Sequence, residues 1–81
     1  MNYEFKIKIW PARPSIFSNQ WNYTVEVLHG QRGEKGAWWE ALLGDRGVSG
    51  REVVVKRIKF GVNTWIANQN QGFEGTIKHA G

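Results

Sequence analysis

The chain has no cysteine, only one methionine and two prolines, and just two histidines, His29 and His79, among its 81 residues. Without cysteine there is no disulfide, no thiolate zinc site and no cysteine nucleophile, so packing alone has to hold the fold. That usage fits a cytoplasmic protein. Long apolar runs are also lacking. Nothing approaches the roughly 20 residues that cross a bilayer, so no membrane partner is expected. The opening "MNYEFKIKIW" alternates polar and apolar residues, where a signal peptide would show a charged head and a continuous apolar run. With no secretion signal, the glycosylation sequon at Asn22, Tyr23 and Thr24 carries no weight.

What is present is a globular composition, 41% hydrophobic and 14% aromatic, well away from the disordered class. A chain this short buries somewhat more than roughly 60% of the surface its unfolded form exposes. One core and one domain over residues 1–81 are therefore expected. Five tryptophans are more than such a core needs.

The net charge of +4 is unevenly placed. Between Arg46 and Lys59 stand five basic residues, Arg46, Arg51, Lys56, Arg57 and Lys59, against the single acid Glu52; the remaining six basic and six acidic residues balance. Such a cluster suits a phosphate backbone or an acidic protein surface, and it is also what an ordinary solvated helix face looks like.

Tyr3, Phe5, Ile7 and Ile9 alternate with Glu4, Lys6, Lys8 and Trp10, the period of a half-buried strand. "PARPS" interrupts it. Trp21, Tyr23, Val25 and Val27 alternate with Asn22, Thr24 and Glu26 in a second strand, expected to pair antiparallel with the first and to end at His29 and Gly30. "GQRGEKG" reads as a mobile connection. "AWWEALL" reads as a third strand with Trp39, Ala41 and Leu43 on one face and Trp38, Glu40 and Leu42 on the other; "GDRG" then reads as a turn.

Residue types and spacing disagree in "GVSGREVVVKRIKFGVNTWIANQNQG". The valines favour a strand, but Ser49 followed by Glu52 has the spacing of a helix capping box. At about 100° per residue Val54, Val55, Ile58, Gly61, Val62, Trp65 and Ile66 fall within an arc of roughly 140°, with Glu52, Lys56, Lys59 and Asn63 opposite. No strand reading gives a clean face. A helix over about 50–69 follows, with Gly72 near its stop, and "GFEGTIKHA" reads as a short closing strand with Phe73, Ile77 and His79 on one side. The expected class is α+β: an antiparallel β-sheet with one long amphipathic helix packed on one face, in the order β-β-β-α-β.

The run "WWEALLGDRGVSGREVVVKRIKFGVNTWI" resembles the central part of small HicB-type antitoxin domains. Gly47 and Ser49 match the turn of that pattern, Glu52 and Val53 the start of its helix, and Ile58, Val62 and Trp65 the buried face. The likeness covers residues 36–66. It implies a non-catalytic domain that blocks a partner by binding it. The chain lacks the DNA-binding segment that such antitoxins often carry, and its helix is unusually basic for the pattern.

No catalytic triad, metal cluster or nucleotide fingerprint is legible, and Glu34, Glu40 and Asp45 sit in or beside glycine-rich turns without an evident base. No enzyme activity, cofactor or metal is expected. "GQRG" resembles the backbone-gripping loop of KH domains, but it follows a strand and reads as a turn. "GVSG", flanked by Arg46 and Arg51, would offer amide donors to an anion if it opens the helix, or would be a plain cap. "PARP" has polyproline-ligand spacing and reads as a stiff loop.

Two surfaces stand out as partner-binding candidates. If Phe5, Ile7 and Ile9 face the helix, then Lys6, Lys8 and Trp10 share the other sheet face, joined by Trp38 if Trp39 points inward. Such a face can stack bases or anchor a protein. The second is the helix stripe Val53, Arg57, Phe60 and Thr64. The expected partner-binding set is Trp10, Trp38, Arg46, Arg51, Val53, Lys56, Arg57, Lys59 and Phe60. The function expected from it is occlusion of a macromolecular target, as by an antitoxin or a phage-encoded inhibitor of a host defence protein or ribonucleoprotein. The alternative is a basic nucleic-acid-binding domain. A homodimer is compatible with either.

Overall fold

A computed structural model of the chain describes residues 3–13 and 19–80, with side chains described as far as Gln69. Three strands precede one helix: β1 Phe5–Pro11, β2 Gln20–His29, β3 Trp38–Ser49 and α1 Arg51–Ala80. The strands form one antiparallel sheet in the order β1-β2-β3. Phe5 stands opposite Val27, Ile7 opposite Val25 and Ile9 opposite Tyr23, so the alternation read from the sequence sets the register. α1 lies across β2 and β3.

The two layers meet at Tyr23, Val25, Val48, Val54 and Ile58, all buried, with Phe5, Ile9, Trp21, Leu42, Leu43, Val53 and Val62 packed around them. The helical arc is the one the spacing predicts. Val54 is completely buried, and burying a side chain of its size contributes roughly 1.5–3 kcal/mol. Tryptophan 65 closes the far end of the interface, its ring edge-on to Tyr3 and Phe5 at 4.9 and 5.8 Å. On the opposite side of α1, Glu52, Lys56, Lys59 and Asn63 are exposed.

Three local expectations are corrected. The closing strand at "GFEGTIKHA" does not form, because α1 continues through Ala80. Gly72 and Gly75 each lower helix propensity by about 1 kcal/mol but leave the amide hydrogen bonds intact, as a proline would not. The side chains of Phe73, Ile77 and His79 lie outside the described residues.

"GDRG" is not a turn. β3 runs through it to Ser49, with irregularities in its pairing to β2 between Val25 and Glu26 and between Trp21 and Tyr23. A β-bulge uses the same glycine and polar residues as a turn, so composition does not separate the two. Ser49 is accordingly a strand residue opposite Gln20, and Gly50 takes the N-cap position, its carbonyl accepting from the amides of Val53 and Val54 at 3.2 and 3.4 Å.

The first irregularity also splits the expected face of Trp39, Ala41 and Leu43. Val25 opposes Leu43, but Glu26 opposes Ala41, so the bulge shifts the alternation by one residue between Leu43 and Ala41. Leu43 faces α1. Trp39 and Ala41 therefore lie on the outer face, and Trp38, opposite His29, lies on the helix side.

The glycine-rich connection consists of two successive hydrogen-bonded turns, with the Glu34 amide donating to the Gln31 carbonyl and the Ala37 amide to the Glu34 carbonyl. Arg32 also pairs with Glu4 across it.

Candidate functional site

α1 covers one face of the sheet and, among the described residues, no element covers the other. By strand alternation that outer face carries Lys6, Lys8 and Trp10 from β1, Asn22, Thr24, Glu26 and Leu28 from β2, and Trp39 and Ala41 from β3. Its two ends differ. At one, Leu28 is 7% exposed opposite Trp39, and the Lys6 ammonium sits 4.3 Å over the Trp39 ring, a cation–π contact. At the other, Trp10 is 42% exposed and borders a groove of about 420 Å³ whose other walls are Tyr23, Thr24, Gly44, Asp45 and Arg46.

Gly44 keeps this groove open for a steric reason: a Cβ there would lie 2.8 Å from the Tyr23 carbonyl oxygen. Beyond Trp10 and Arg46 the surface continues into a second depression lined by Arg13, Gln20, Asn22 and Gly47. Asn22 Oδ1 accepts the Gly47 amide at 2.9 Å, which leaves its side-chain amide donors pointing away from that bond. Asp45 is already committed. One carboxylate oxygen accepts the Arg46 amide at 2.8 Å, and the other accepts from Arg57 Nη1 at 3.2 Å.

The expected partner-binding residues therefore divide among separate places. Trp10 and Arg46 meet on the outer sheet face. Lys56, Lys59 and Phe60 are exposed along α1, Phe60 at 74%. Arg57 is exposed on the same helix and tied to Asp45. Arg51 opens α1 with its guanidinium 5.9 Å over the Trp21 ring. Val53 is half-buried against the core, since the first helical turn already touches the sheet. Trp38 is 56% exposed but on the helix side of the sheet, stacked on His29 at 4.5 Å between ring centres. His29 in turn bonds Glu40 at 2.7 Å.

Two of the "GVSG" amides are already taken. The Gly47 amide is bonded to Asn22 and the Gly50 amide to the Asn19 carbonyl at 2.8 Å. "PARP" ends β1 at Pro11, and its Pro14 lies outside the described residues. The sequence reading missed Arg13, Asn22 and Trp39 as surface partners of Trp10 and Lys6. For Trp39 the missing signal was strand parity, which the bulge obscures; Asn22 lies on the side of β2 that the alternation gives.

Among the described residues no three histidine, aspartate or glutamate side chains stand together as a metal site would need, and no helix is long and apolar enough to cross a membrane. No family model, no curated protein and no solved structure matches the chain.

Proposed function

We propose that the chain is a small non-catalytic binding module that acts by occluding a macromolecular partner, in the manner of antitoxins and of inhibitors of defence proteins. The observation that carries this reading is the set of large apolar side chains left exposed in so small a fold: Ile7 at 48%, Trp10 at 42%, Trp38 at 56% and Phe60 at 74%. Tryptophan anchors with basic neighbours are what energetic centres of interfaces are made of. Phe60 has Lys56, Arg57 and Lys59 within one helical turn, all exposed, so an apolar anchor and a cationic rim come from one segment. The likeness of residues 36–66 to HicB-type antitoxin domains supports the same mode of action.

The test uses the whole chain, immobilised and exposed to lysate of its source organism at physiological salt, with and without nuclease. A defined partner in stoichiometric amount, retained by the parent and released by Phe60→Ser or Lys59→Glu, is the expected result. Retention of nothing, or retention indifferent to both substitutions and to Trp10→Ala, overturns the reading.

A further inference from the structure

We propose that the outer sheet face, at its Trp10 end, is a seat for single-stranded nucleic acid. This rests on the reading of the chain as a binding module and names the partner of one of its faces. Lys8, Trp10, Arg13, Asn22, Thr24 and Arg46 provide it. Lys8 opposes Thr24 and Trp10 opposes Asn22 in the β1–β2 register, while Arg46 and Arg13 border the same depressions as Trp10.

Charge complementarity selects a polyanion. Lys8, Arg13 and Arg46 share this end of the face with Trp10, and the acid that lines the groove beside them, Asp45, is held by Arg57 and by the Arg46 amide. Glu26 stands opposite Lys6 and Glu4 pairs with Arg32, so neither offsets the Trp10 end. The aromatic selects a single strand over a duplex. Trp10 is half-exposed beside a groove whose floor has no side chain at Gly44, so a base that is free of its own stack can lie on the ring while its flanking phosphates reach Arg46 and Arg13. In a duplex the bases are already stacked, and only the charges would be used. The Thr24 hydroxyl in this groove and the Asn22 side-chain amide in the adjoining depression supply sequence-tolerant donors.

The probe is a fluorescein-labelled oligouridine of about 12 residues, titrated with the whole chain by fluorescence anisotropy, beside a duplex of equal length. Three phosphate contacts give a salt slope of about −2, so binding should weaken roughly twentyfold between 50 and 200 mM salt. Trp10→Ala should weaken single-strand binding at least about fivefold and leave duplex binding nearly unchanged. Arg46→Ala should reduce the slope by about 0.7. Circular dichroism checks that each variant is folded.

Absence of single-strand binding at low salt overturns the inference. So does binding that Trp10→Ala and Arg46→Ala leave intact while Lys56→Ala and Lys59→Ala abolish it, because charge on α1 would then be the seat. Retention of a protein partner that depends on Phe60, without oligouridine binding, would sink this inference and leave the module reading standing. Oligouridine binding that Trp10→Ala weakens, with no protein retained from lysate, would uphold this inference and restrict the occluded partner to nucleic acid.

Discussion

Gly61 packs α1 directly against Leu43 of β3, and it allows the docking of helix on sheet to be tested by a change of sign. A Cβ at this position would lie 2.9 Å from Leu43 Cδ2 and 3.0 Å from Cδ1, inside van der Waals contact. Gly61→Ala therefore sets two effects against each other. Alanine in a helix interior gains about 1 kcal/mol over glycine, whereas overpacking costs about 1–3 kcal/mol. The lower part of that range applies, because the crowded atoms are the free end of a leucine that can rotate. In the parent chain the substitution should be neutral to about 1 kcal/mol destabilising. In a Leu43→Ala background the obstructing atoms are gone, and the same substitution should stabilise by about 1 kcal/mol. The coupling in the double-mutant cycle is then about 1–2 kcal/mol. Urea unfolding followed by tryptophan fluorescence resolves this, provided all four proteins share one slope. Equal stabilisation of about 1 kcal/mol by Gly61→Ala in both backgrounds would mean that Leu43 does not face α1. The assignment of Trp39 to the outer face and Trp38 to the helix side would fall with it.

Three further outcomes follow from the same structure. Val54→Ala, at a completely buried position, should lower stability by about 2 kcal/mol through two lost methyl groups and the space they leave; a loss under about 0.5 kcal/mol would place Val54 at the surface. Gly50→Ala and Gly33→Ala should both lower the midpoint of thermal unfolding, by similar amounts, and a midpoint that neither changes would refute the strain. Both glycines have positive φ, +90° and +83°, and the Glu52 carboxylate 2.6 Å from the new Cβ at position 50 is the exposed end of a flexible side chain that can swing aside, while nothing lies within 4 Å at position 33. Phe60→Ser, at a position 74% exposed, should shift stability by no more than about 0.5 kcal/mol while abolishing partner retention; a larger shift would mean that Phe60 is packed in the fold.

The sheet and helix were legible where one periodicity runs without interruption. Tyr3 to Trp10 and Trp21 to Val27 keep a period of two, and Val54 to Ile66 keep a helical period strong enough to override three β-branched residues. The reading failed where the period changes inside an element. Strict alternation put Trp39, Ala41 and Leu43 on one face, with Trp38 outside if Trp39 pointed inward; the bulge between Leu43 and Ala41, of which the residues give no sign, separates Leu43 from the other two. The glycines and charges of "GDRG" are equally suited to a turn and to an irregular strand. What decides between them is the continued pairing of β3 with β2, which depends on residues more than twenty positions away. The candidate site shows the same division. Each exposed tryptophan and each basic residue could be named from composition, but which of them share a face depends on register. Arg46 thus belongs with Trp10 on the sheet, and the basic run from Arg46 to Lys59 is not one patch.

The most direct measurement is a nitrogen–proton NMR titration of the labelled chain with the short oligouridine, following backbone amides and tryptophan indoles together. The open sheet face predicts shifts at the Trp10 indole and at the amides of Asn22, Thr24, Gly44 and Arg46, with Lys56, Lys59 and Phe60 unmoved. Shifts confined to α1, with the Trp10 indole silent, would contradict it.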